Sequence, residues 1–147
     1  MSKTILYRLF RIGGIPRDLR PVLEAERIVV SDEGIGGWYI TPNLKAPGRR
    51  SIKRREGFSG FLTVTKTRMV CYTYGRPQIN IAVDDPRLSK LYIKLPEPQI
   101  LSLSFESSVF HKDWKGLIEF RFHTGKALEF YEVMRSIGIL PGSAEGE

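Results

Sequence analysis

The sequence predicts a mainly β domain closed by one C-terminal α-helix. Three observations predict it: short segments alternate apolar with polar side chains, no segment of helical length lies between them, and the hydrophobic period changes after residue 123. Closely spaced strands without crossover helices pair antiparallel, as a sandwich or a bent barrel.

Residues 3–12 mix Ile5, Leu6, Leu9, Phe10 and Ile12 with Lys3, Arg8 and Arg11, a pattern that fits a short amphipathic helix or an extended arm. Gly13, Gly14 and Pro16 interrupt it, and a helical turn over Arg17 to Glu24 follows, with Pro21 placed to break or restart it. Residues 1–23 thus read as an N-terminal arm or short helices. Strands are then expected over Arg27–Ser31, Gly37–Thr41, Phe58–Thr65, Arg68–Tyr74, Gln78–Val83 and Leu91–Leu95, each bounded by Gly, Pro or Asp. In ILSLSF, Leu101, Leu103 and Phe105 face one way and Ser102 and Ser104 the other. In GLIEFRF, Ile118, Phe120 and Phe122 oppose Glu119 and Arg121. Both read as strands with one buried and one wet face.

The last element runs from about Lys126 to Ile137. Ala127, Phe130, Tyr131, Met134 and Ile137 follow helical spacing, Thr124 can cap the start, and Gly138 with Pro141 can stop it. Its apolar stripe needs a sheet or a barrel mouth to cover. The barrel domain is therefore drawn over 24–140, and PGSAEGE, 141–147, reads as a disordered tail.

A chain of 147 residues with 41% apolar and 27% charged residues has the size and composition of one folded domain. Cys71 is the single cysteine and lies in the apolar run MVCYTY, so no internal disulfide forms and a reducing, cytoplasmic setting is expected. Arg8 and Arg11 break the apolar start, which lacks the core of a secretory signal.

The stretch GFLTVTKTRMVCY resembles the hairpin of bacterial PH-like and GRAM-type domains. There a glycine and an apolar strand end in Thr, a turn follows, and an Arg opens the next apolar strand. Gly60, Leu62, Thr65, Arg68, Met69 and Val70 take those places. The resemblance covers roughly residues 24 to 137 in element order. It implies an antiparallel PH-like bent barrel of seven or so strands, capped by one amphipathic helix, in families that bind lipid headgroups, peptides or proteins and rarely catalyse.

The charge is local. Residues 45–55, KAPGRRSIKRR, carry six of the positive charges and no acid; without them the net +7 falls to +1. A local patch makes a directed field that attracts polyanions to one face. In lipid-binding PH domains the loop joining the first two strands is basic and holds a phosphorylated headgroup, and the resemblance puts Lys45, Arg49, Arg50, Lys53, Arg54 and Arg55 in a comparable place. Here they are packed into a loop rather than alternating along a strand. Trp38, Tyr39 and Phe58 flank the loop, as barrel core or, for Trp38 and Phe58, as aromatics at the lip of an interface. The loop has no aromatic between its cations, so a base-stacking surface is not suggested and nucleic acid is a minor alternative.

Other chemistries have bland readings. His111, Asp113 and His123 have conceivable metal-ligand spacing, but HKDWKG reads as a polar turn. Asp84 and Asp85 precede Pro86 as turn residues. Cys71 has no neighbouring base. The expectation is therefore a noncatalytic binding module, with no cofactor and no metal. Its basic loop recruits an anionic membrane surface or an acidic protein face, at the membrane periphery in the first case. The alternative is a structural domain that assembles into a homo-oligomer through its edge strands and N-terminal arm.

Overall fold

The computed structural model describes residues 3–48 and 52–144. Two short helices, α1 (Ile5–Phe10) and α2 (Arg20–Ala25), precede seven strands: β1 (Ile28–Leu44), β2 (Ile52–Thr65), β3 (Arg68–Thr73), β4 (Arg76–Ala82), β5 (Tyr92–Glu97), β6 (Ile100–Glu106) and β7 (Leu117–His123). Helix α3 (Ala127–Ser136) and a two-residue strand, β8 (Leu140–Pro141), complete the chain. The strands form one curled sheet in the order β4-β3-β2-β1-β7-β6-β5-β8.

The curl depends on β1, which pairs with β2 along its whole length and with β7 over Gly36–Ile40. Sequence reading split this strand in two, because Asp32, Glu33 and Gly34 look like a break. The structure keeps it continuous by giving each acid a partner. Asp32 accepts from Lys3 Nζ and from Thr124 Oγ1, both at 2.7 Å, and Glu33 pairs with Arg20. Bulges at Ile28/Val30, Glu33/Ile35 and Thr41/Leu44 bend it. At Gly37, where three strands meet, a methyl group would overlap the carbonyl oxygen of Arg121 and lie 2.6 Å from Phe58 Cζ.

The concave side holds the main core, with Leu62, Met69, Ile93, Leu103, Phe120 and Phe122 under the buried face of α3, which contributes Ala127, Phe130 and Met134. The helix starts one residue after Lys126 and ends one before Ile137. Thr124 Oγ1 accepts from Lys126 N at 3.0 Å, and Lys126 Nζ donates to Ser31 O at 2.6 Å, so α3 sits at the Ser31–Asp32 end of β1. The other end of β1 stays uncovered by it.

Three further expectations change. First, the N-terminal segment is a second layer on the convex side: Ile15 and Leu23 join Phe61 and Val70 in a separate small core, and the boundary drawn at residue 23 falls inside α2. Second, Ser102 and Ser104 are buried rather than wet. Ser102 Oγ donates to Glu119 Oε2 at 2.5 Å, and Ser104 Oγ accepts from Ala144 N at 3.0 Å. Third, residues 141–144 of the expected tail are fastened down: β8 runs parallel to β5, Gly142 N donates to Ile93 O at 2.8 Å, and Ser143 is buried. An open edge strand and a layer of hydroxyls supply partners that composition does not reveal.

Candidate functional site

The C-terminal part of the basic segment is strand, whereas residues 46–48 form a loop that turns at Pro47 and Gly48. β2 begins at Ile52, and pairing with β1 sets Leu44 opposite Ile52, Thr41 opposite Arg54 and Ile40 opposite Arg55. Lys45 is tied to Lys115 by two backbone hydrogen bonds of 2.7 and 2.9 Å. The expectation that residues 45–55 are one loop is thus corrected for 52–55, where Lys53, Arg54 and Arg55 alternate along an exposed strand, while residues 46–48 are loop as expected. Lysine and arginine do not oppose extended pairing when their heads stay in water. Arg49 and Arg50 lie outside the described residues.

Because successive strand residues face opposite sides and opposed residues share one, the cations divide. Arg55 turns to the convex side, and its guanidinium carbon lies 4.6 Å from the centroid of Trp38, two residues from its partner Ile40. A cation over an indole face is held by the ring quadrupole. Arg54 shares the concave side with Thr41 and with Glu56, its ion-pair partner at 3.2 Å.

On that side two clefts meet, of about 490 and 590 Å³. Tyr39, Arg54 and Trp114 line both; Thr41, Leu44, Ala46 and Pro47 line the first, while Thr73, Tyr74, Arg76 and Gln78 line the second. The walls come from the β1–β2 hairpin, the β3–β4 turn and the connection between β6 and β7, at the end of β1 away from α3. Two arginines face one acid there, among aromatic rings. The Oγ1 of Thr41 is buried and has no hydrogen-bond partner among the described residues.

Burial raises the Tyr39 hydroxyl above its ordinary value, so it stays protonated at neutral pH. Burial lowers His111, whose ring stacks on Trp114 at 4.0 Å between centroids, so the imidazole stays neutral. The cations of the mouth are therefore Arg54 and Arg76, and it can accept an anionic group beside the Tyr39 and Trp114 rings.

The two aromatics expected at a lip separate. Trp38 is half-buried beneath Arg55, whereas Phe58 is 7% exposed and meets Phe120 and Phe122 edge-on at 6.2 and 5.7 Å. Phe58 belongs to the core, because its partner position is Gly37, whose missing side chain leaves room for the ring. Sequence reading missed Thr41, Tyr74 and Arg76 as cleft residues, and placed Trp114 only in a turn. Thr41 was within reach, since Tyr39 and Thr41 share a face by strand alternation.

Asp113 lies in a left-handed turn with φ of 66°. Among the described residues no three His, Cys, Asp or Glu side chains gather as a metal site. No helix among the described residues is long and apolar enough to cross a membrane. No protein-family model matches the chain, and no curated protein matches it.

Proposed function

We propose that this protein is a noncatalytic binding module of the PH-like or GRAM-like kind that docks on an anionic partner through the open mouth of its sheet. Support for the PH-like reading comes from the strand order β4-β3-β2-β1-β7-β6-β5 with one helix after the last long strand, and from the hairpin at Gly60–Val70. The observation that carries the docking is the division of cations across one strand. Arg54 is directed to a cleft with an orphan hydroxyl, while Lys53 and Arg55 remain outside. A headgroup or acidic side chain in the cleft would meet Arg54 and Arg76, and the outer cations would meet the surrounding anionic surface.

The partner is an anionic membrane surface or an acidic protein face, and in the first case the protein works at the membrane periphery. The test is co-sedimentation with neutral and anionic vesicles at low and physiological salt. Lys53, Arg54 and Arg55 changed together to Gln should abolish the salt-sensitive part of binding and leave the melting temperature within a degree or so. Binding that survives the triple change would remove the hairpin from the mechanism.

A further inference from the structure

Helix α1 is held firmly and yet hides none of its apolar side chains. Thr4 caps it, accepting from Tyr7 N at 3.0 Å, and Thr4 N donates to Gly34 O at 2.9 Å. Its other end is fixed by Ser59 Oγ, which donates to Ile12 O at 2.8 Å, and by Gly34 N, which donates to Gly13 O at 3.0 Å. Tyr7 is the side chain turned to the sheet, against Gly34. Ile5, Leu9 and Phe10 point away, 63%, 68% and 67% exposed.

Holding three large apolar side chains in water on an anchored helix costs free energy that covering them would recover. The surrounding charge says what covers them. Residues 3–17 contain four cations and no acid; Lys3 is paired with Asp32, Arg11 lies over the Tyr7 ring at 5.1 Å from its centroid, and Arg8 is exposed on the helix itself. Two copies meeting through this face would bring Arg8 and Arg11 of each copy into one interface to which residues 3–17 contribute no acid, which repels. A bilayer interface with anionic headgroups satisfies both features: acyl chains take the apolar side chains and headgroups take the arginines.

The position of α1 agrees. Thr4 lies against Gly36, on the same convex face as Trp38 and Arg55 further along the β1–β2 ribbon. From Gly36 to Leu44 is roughly 25 Å of strand, so one bilayer surface on the convex side can meet α1 at one end and Lys53 and Arg55 of the hairpin at the other, with Arg54 at the rim facing the concave side. We infer that α1 is an interfacial anchor, inserting Ile5, Leu9 and Phe10 into an anionic bilayer; the inference rests on the proposed anionic docking and selects lipid as the partner.

The test compares wild type, the double variant Leu9→Glu/Phe10→Glu and the hairpin variant Lys53→Gln/Arg54→Gln/Arg55→Gln on phosphatidylcholine vesicles with about 30% phosphatidylserine, at about 0.05 and 0.5 M salt. Both changed residues of α1 are exposed, so melting should be unaltered. The double variant should lose about tenfold or more in affinity, together with the binding that persists at high salt, because only apolar insertion is unscreened. The hairpin variant should lose the salt-sensitive part alone. A separate Phe10→Trp variant should gain a blue-shifted emission on vesicles over that of wild type.

Wild-type affinity in the double variant overturns the anchor and leaves the hairpin reading intact. Unchanged binding in the hairpin variant overturns that reading and leaves the anchor. No vesicle binding by wild type overturns the anchor and the membrane form of the hairpin reading, and leaves an acidic protein face as the hairpin's partner. A double variant that instead loses a dimer, or loses binding to polyglutamate, with vesicle affinity unchanged, shows that α1 is covered by protein and also overturns the anchor.

Discussion

Arg20 donates through Nη2 to both carboxylate oxygens of Glu33, at 2.8 and 2.7 Å. The same carboxylate accepts from Ile15 N at 3.2 Å, and Lys3 Nζ bonds the Glu33 carbonyl oxygen. One acid in the middle of β1 therefore fastens the N-terminal layer to the sheet.

Burial pushes the Glu33 carboxyl up, but the hydrogen bonds from Arg20 and Ile15 outweigh it and hold the group below its ordinary value. A depressed folded value means the stabilisation is present above the unfolded value and disappears as pH falls through the folded one. Glu33→Gln should cost about 1–2 kcal/mol at pH 7 in urea unfolding, and the gap from wild type should shrink below about pH 4. A gap that stays constant with pH would show that the charge of Glu33 is not what holds the segment.

Gly37→Ala should be among the most damaging single changes, because its methyl meets the Arg121 carbonyl and the Phe58 ring where three paired strands leave nothing free to shift. A loss above about 2 kcal/mol is expected. Gly75→Ala is the control: it has open space around it but φ of +76°, and should cost about 1 kcal/mol through backbone strain alone.

Arg55→Ala should change stability by less than about 1 kcal/mol, since an exposed cation over an indole contributes little. In a Trp114→Phe background, however, Trp38 should become more readily quenched by iodide or acrylamide once the guanidinium is gone. Equal quenching with and without Arg55 would mean that the stack does not persist in solution.

Cys71 is fully buried, and burial pushes its thiol well up, away from the reactive thiolate. A disulfide reagent should modify it only at the rate of unfolding, and completely in denaturant. Rapid reaction in buffer would show that β3 opens locally.

The alternation in ILSLSF and GLIEFRF and the change of period before α3 made most of the strands and the last helix legible, because each follows from side-chain spacing along one segment. What stayed hidden depends on partners far away in sequence. Asp32 reads as a breaker until Lys3 and Thr124 are found beside it. Ser104 reads as wet until Ala144 crosses it. The cations of 45–55 were visible as a patch, but their division between two faces came from pairing with Ile40 and Thr41. Arg76 and Trp114 reach the mouth only because two other connections converge there.

The two borders of the sheet are unequal. β8 occupies the outer side of β5 at Tyr92 and Ile93, and further along Pro96 offers no amide hydrogen, so another strand gains little by adding there. On the opposite border β4 has no neighbour beyond β3 among the described residues. Beyond Pro77 at its start, the Gln78–Ala82 stretch of β4 is thus the more open border for strand addition, and two copies joined β4 to β4 would consume it. Such a pair would be self-limiting, because the short C-terminal clip that looks like a tail in the sequence already covers Tyr92 and Ile93 on the remaining border.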